Sequence, residues 1–141
     1  MAWHEMQRKL RGALEAGLMQ EFEPPLGKLM ADAITYNARI WLEQKELKRF
    51  VDSDSAAALT AILNNAVTGS TMNLIRSTMI GSALLNDTDA VMRWAKEGAT
   101  RCKRVGGEWM DTEPLWGWIV QNPQRYIEHV REIKVFLNQI E

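Results

Sequence analysis

Apolar residues recur along this chain at intervals of three and four, and no segment alternates with a period of two. A strand buried on one face needs that alternation, whereas a helix packed on one side needs the 3.6-residue repeat. The pattern therefore dictates an all-α fold. Prolines, glycines and short runs of capping residues cut it into six or seven helices, which predicts a bundle-like arrangement. With 141 residues and no repeat or linker-like stretch to mark a boundary, one compact domain over 1–141 is expected; a chain of this size buries about 70% of its unfolded surface in a single core.

The first helix is expected over 2–22, with Trp3, Met6, Leu10, Ala13 and Gly17 on one face, ending at Pro24 and Pro25. Pro25 suits the first turn of a long second helix reaching about Val51, because its missing N–H would be unpaired there anyway. Along it Leu26, Met30, Ala33, Asn37, Ile40, Gln44, Leu47 and Val51 keep an unbroken 4-3 spacing, the period of a helix–helix seam. Asn37 and Gln44 interrupt its apolar character. Either that stretch faces solvent, or the two amides pair across an interface and fix its register. Caps at Asp52 to Ser55 then open a short helix with Leu59, Ile62, Leu63, Ala66 and Val67 at helical spacing, stopped by Gly69. Ser70 or Thr71 caps a fourth helix to Leu85, with Met72, Ile75, Met79 and Ala83 on one stripe. A fifth, capped within Asn86 to Asp89, carries Val91, Ala95, Gly98, Cys102 and Val105 and stops at Gly106 and Gly107. The C-terminal amphipathic helix begins at Pro123, with Tyr126, Val130, Ile133, Leu137 and Ile140 at 4-3 spacing and Ile127 and Phe136 alongside.

Between the last two lies EWMDTEPLWGWIVQNP, with three of the six tryptophans. A helix of about two turns has little intrinsic stability and must be held by packing. Trp116 and Trp118 are about 200° apart on a wheel of 100° per residue. The expectation is that Trp118 packs inward with Leu115 and Ile119, leaving Trp116 outward beside Val120. Tryptophan dominates protein interfaces, so Trp116 and Trp109, with Asn37 and Gln44 on the second helix, are the candidate protein-interface residues.

Charge is balanced, with a formal net of −1, so no global field draws the chain to nucleic acid or acidic lipid. A local basic patch on the fifth helix, Arg93, Lys96, Arg101, Lys103 and Arg104, is the candidate for a phosphate backbone, although Arg101 falls on a different face from Arg93, Lys96 and Lys103. The apolar runs are far short of the ~20 residues of a membrane span. Glu5, Arg8 and Lys9 stand where the apolar region of a signal peptide would begin. A lone cysteine, Cys102, fits a reducing compartment, and a cytoplasmic protein with no membrane contact is expected.

Catalytic signatures are sparse. His4 and His129 stand near opposite ends of the chain, Cys102 has no histidine at ligand spacing, and Arg104-Val105-Gly106-Gly107 lacks the spacing and lysine of a phosphate loop. His129 and Glu132, three apart, read as an exposed ion pair or hydrogen bond on a helix face. Glu43 with Glu46 and Glu108 with Asp111 resemble the paired carboxylates with which all-α nucleoside-triphosphate pyrophosphohydrolases hold magnesium. In this chain the pairs are far apart in sequence, and the second falls in an expected loop. No cofactor or metal is expected. The sequence thus predicts a non-enzymatic helical interaction protein, of the adaptor, accessory or inhibitor type that phages and mobile elements encode, which self-associates and binds another protein. A nucleic-acid-backbone-binding subunit and a magnesium-dependent phosphohydrolase are the alternatives.

Overall fold

A computed structural model describes residues 3–13, 22–23, 26–33 and 45–139. Helix α1 spans Trp3–Ala13, and a second helical stretch, α2, is described over residues 26–33. Then follow α3 (Leu47–Leu63), α4 (Gly69–Leu84), α5 (Thr88–Val105), a 3₁₀ helix (Gly107–Thr112), α6 (Glu113–Gln121) and α7 (Pro123–Gln139). The fold is all-α, and there is no strand among the described residues. Of the first-helix stripe predicted from Trp3 to Gly17, Gly17 lies outside the described residues and the side chains of Trp3, Met6, Leu10 and Ala13 are not described, nor are those of Phe136 and Leu137; Ile140 also lies outside.

Helix α4 is the centre, packed against α3, α5 and α7. Met72, Ile75, Met79, Ile80 and Ala83 are fully buried on it. Ser77, Thr78 and Ser82 are buried too, so this helix is enclosed on nearly every side, as expected of a helix without a polar face. Its small hydroxyls make that tolerable: Ser82 Oγ donates to the Thr78 carbonyl at 2.8 Å, and Ser77 Oγ donates to Asp54 on α3 at 3.1 Å. Gly81 lets α3 approach closely, since a Cβ there would meet Val51 Cγ2 at 2.4 Å.

Two boundaries differ from the sequence expectation. The second helix does not run unbroken to Val51: Lys45 and Glu46 are non-helical, and Leu47 starts α3, which passes straight through the expected cap at Asp52 to Ser55. No proline or glycine marks this break. The register of α3 follows instead from Val51 seating on Gly81 and from Ala58, which is fully buried. Of the stripe expected on this helix, Ile62 packs half-buried against the core, whereas Leu59 is 39% and Leu63 76% exposed. Gly69 is likewise the first residue of α4, not the stop of the helix before it. The stop is made by Asn65, at φ 57°, a left-handed conformation that asparagine tolerates better than most residues. Thr68 caps α4 by accepting from the Thr71 N–H at 3.3 Å.

The remaining punctuation follows the sequence. Asp87 caps α5, accepting from the Ala90 N–H at 3.1 Å, and Gly106 (φ 72°) and Gly107 (φ 58°) end it in the left-handed region. Val91, Ala95, Gly98 and Cys102 are buried on α5, and Tyr126, Ile127, Val130 and Ile133 on α7. Residues 107–112, expected as a loop, form the 3₁₀ helix instead.

Candidate binding groove

Both rings of the Trp-Gly-Trp segment are used by the fold, which corrects the expectation that Trp116 faces a partner. Trp116 is fully buried. Its benzo ring lies on Gly98 of α5, where a Cβ would meet the ring at 2.3 Å, and its Nε1–H donates to Thr112 Oγ1 at 2.9 Å. Trp118, on the opposite flank, is half-buried and meets Phe22 edge-on at 4.8 Å. The physical reason is that the buried arc of α6 centres on Ile119, between the two rings, and is wide enough to take both. The wheel cannot show this, because the space for Trp116 is made by a glycine on another helix.

The third ring has a different place. Trp109, half-buried on the 3₁₀ helix, is covered on one face by the Arg76 guanidinium at 5.1 Å from the ring centroid. Such stacking is worth about 0.5–1 kcal/mol where exposed and more where water is excluded. Arg76 reaches there from α4 and also donates through Nη2 to Asn73 Oδ1 at 3.2 Å. The Thr112 hydroxyl donates to the Trp109 carbonyl at 2.5 Å while accepting from Trp116, so one threonine ties the wall to the floor.

Around this pair opens a groove of about 570 Å³, within the range of small-ligand and side-chain pockets. Half-buried Leu29 is the apolar side chain with surface in it, the buried Leu115 and Trp116 lie behind, and Lys28, Asp32, Asn73, Arg76 and Glu108 supply polar groups of both signs around Trp109. Asp32 is held by Arg11 of α1 at 2.6 Å. Of the groove residues, sequence reasoning found only Trp109 and, with another role, Trp116 and Glu108. A signal for Arg76 was present: it is the sole charged residue in the sixteen of α4, and a charge on a helix enclosed all round must reach out or be paired.

Asn37 and Gln44 lie outside the described residues. The basic patch divides in two, and Arg101 is removed from the candidate nucleic-acid contacts. It is buried, donating from Nη1 to the Ala66 carbonyl at 3.2 Å and from Nη2 to the Ile62 carbonyl at 3.3 Å, with Glu97 at 3.6 Å. It ties α5 to the last turn of α3 and the turn after it, the Ile62 carbonyl also accepting from the Asn65 N–H at 2.9 Å. Arg93, Lys96, Lys103 and Arg104 are exposed. Lys103 pairs with Glu113 at 3.0 Å, and the hydrogen bond and charge of that carboxylate push its ammonium above the usual lysine range. Arg104 donates to Asn65 Oδ1 at 2.9 Å, and Arg93 lies over the Trp94 ring at 5.1 Å.

Of the carboxylates that suggested a magnesium site, Glu43 is outside the described residues. Glu46 pairs with Arg49 at 3.5 Å, and Glu108 and Asp111 are exposed on the 3₁₀ helix. Among the described residues no group of three or more His, Cys, Asp or Glu side chains is placed to hold a metal ion. The Cys102 thiol is buried and pushed up chiefly by that burial, then by the charge of Glu113. The His129–Glu132 pair is not exposed as expected at its histidine: the ring is buried against Phe22 at 5.1 Å and Trp118 at 6.4 Å, which shield it from solvent, with Glu132 at 3.8 Å. Among the described residues no helix is long and apolar enough to cross a membrane. Comparison of the chain with protein-family models, with curated proteins and with solved structures gives no match.

Proposed function

We propose that this is a non-enzymatic helical interaction protein, an adaptor or inhibitor by type, that captures a segment of another protein in the groove walled by Trp109. One observation carries the reading: a half-buried indole stacked by Arg76 stands in a groove beside Leu29 and is ringed by polar groups of both signs. Interface hot spots share this anatomy, with tryptophan and arginine at the centre of a pocket and a polar rim that excludes water. The mixed charge of the rim suits a peptide-like segment, which offers donors and acceptors together, better than a ligand of one sign.

Self-association belongs to the same reading. It is supported by the outward apolar side chains Leu59 and Leu63 on α3 and Val135, 58% exposed, on α7. A cytoplasmic setting is supported by the free thiol of Cys102. The test of the groove is quantitative capture from the native host with wild-type protein and with Trp109→Ala. A protein held by the wild type is expected to be lost from the variant while far-UV circular dichroism is unchanged. Equal recovery by both ends the proposal. Light scattering over a range of concentrations tests self-association separately, and a monomer throughout removes that part alone.

A further inference from the structure

Helix α5 carries five cations and two acids in a chain whose net charge is −1. Its packing sorts them. Val91, Trp94, Ala95, Gly98, Arg101 and Cys102 are buried. At 100° per residue the directions opposite that core belong to Asp89, Arg93, Lys96, Thr100, Lys103 and Arg104, all of them exposed. Glu97 lies to the side, near buried Arg101 at 3.6 Å. The outward face therefore holds four cations and one acid, and that acid stands in the first turn.

A helix macrodipole accounts for cations only in the last turn. That covers Lys103 and Arg104, but not Arg93 and Lys96 in the first half of the helix. Nor does the face suit a protein partner, because none of its outward side chains is apolar and an interface needs a desolvated anchor at its centre. From Arg93 to Arg104 the helix rises about 16 Å, which spans about five phosphates of one strand at 3.4 Å each. Trp94, the aromatic ring under Arg93, is only 3% exposed, so it offers no surface on which a base could stack.

We infer that the outward face of α5 binds the phosphate backbone of a nucleic acid through Arg93, Lys96 and Arg104, without reading its sequence, at a surface separate from the Trp109 groove. Lys103 serves as a reserve contact, since its exposed pair with Glu113 is weak enough to exchange. With three cations engaged, the logarithm of affinity falls against the logarithm of salt with a slope of about −2.7 for duplex and about −2 for a single strand. Between about 50 and about 200 mM salt this is a loss of about 40-fold and about 15-fold respectively.

The experiment is fluorescence anisotropy of the full chain with a labelled DNA duplex and its separated strand, repeated with polyglutamate and with anionic phospholipid vesicles. Sequence-independent binding with those slopes supports the inference, as does its loss in the Arg93→Glu, Lys96→Glu double variant while Trp109→Ala binds as wild type. The slopes are read on the wild type, so they stand even where a charge-reversed variant folds poorly. The inference is overturned by no binding at about 50 mM salt, by equal affinity for polyglutamate or vesicles, or by a folded double variant that binds undiminished.

Discussion

Replacing Gly98 by alanine adds a single methyl group to a helix, and on an exposed helix that change stabilises by about 1 kcal/mol. Here the expected sign is reversed. The new Cβ would stand 2.3 to 2.6 Å from three atoms of the Trp116 ring, where ordinary contact needs about 3.5–4 Å. Something must move by more than an ångström, and the ring is fully buried with its Nε1–H bound to Thr112. Overpacking of a core costs about 1–3 kcal/mol, and breaking the indole hydrogen bond adds about 1 kcal/mol. Set against the gain in propensity, Gly98→Ala should destabilise by about 1–3 kcal/mol. Urea unfolding followed by far-UV circular dichroism measures it as a lowered midpoint at unchanged slope. The same substitution in a Trp116→Leu background, where the benzo ring is gone, should cost at least about 1 kcal/mol less, a coupling that a double-mutant cycle isolates. A neutral or stabilising Gly98→Ala in the native background would refute the reasoning, and so would a cost identical in the two backgrounds.

Three further outcomes are expected. Arg101→Met should destabilise by about 1.5–3 kcal/mol, because the carbonyls of Ile62 and Ala66 lose a charged donor; thermal melts at low and high salt should show the same loss, whereas a loss that salt erases would point to a surface charge effect. Burial raises the Asp54 carboxyl above its ordinary 3.8, opposed only in part by the Ser77 hydroxyl, so its ionised form costs the fold stability as pH rises through the folded-state value, and the cost is absent below the unfolded one. Asp54→Asn should therefore match or exceed wild-type stability at pH near 7, with the advantage vanishing in acid; unfolding midpoints against pH that show the advantage growing in acid would contradict this sign. Exchanging Val51 for leucine, against the Gly81 contact of 2.4 Å to an added Cβ, should destabilise by about 1–3 kcal/mol through overpacking, and an unchanged melting temperature would show that α3 does not take its register there.

The legibility of this molecule in its sequence follows the reach of each signal. Many local signals held, among them Asp87 as a cap, Gly106 and Gly107 as a stop, and the described parts of the buried stripes of α4, α5 and α7, but the expected cap at Asp52 to Ser55 lies inside α3 and the expected stop at Gly69 starts α4. Signals that need a second element failed. The break at Lys45 and Glu46 has no local breaker, and it places α3 in the register that Val51 and Gly81 set. Trp116 looked outward on a wheel drawn for one helix, since the glycine that receives it is eighteen residues earlier on α5. Arg101 looked like part of a basic patch because the carbonyls it binds, those of Ile62 and Ala66, belong to the end of α3 and the turn after it. The groove was half visible, in Trp109 and in the lone charge of α4, but their stacking is a tertiary fact.

On the proposed function, a partner is held in the Trp109 groove. A photo-crosslinking amino acid placed at Lys28, exposed at the groove, and activated in the native host tests it most directly. A discrete adduct with another protein is expected, and it should disappear when Trp109→Ala is added. An adduct that survives that substitution, or the absence of any adduct at Lys28, would contradict it.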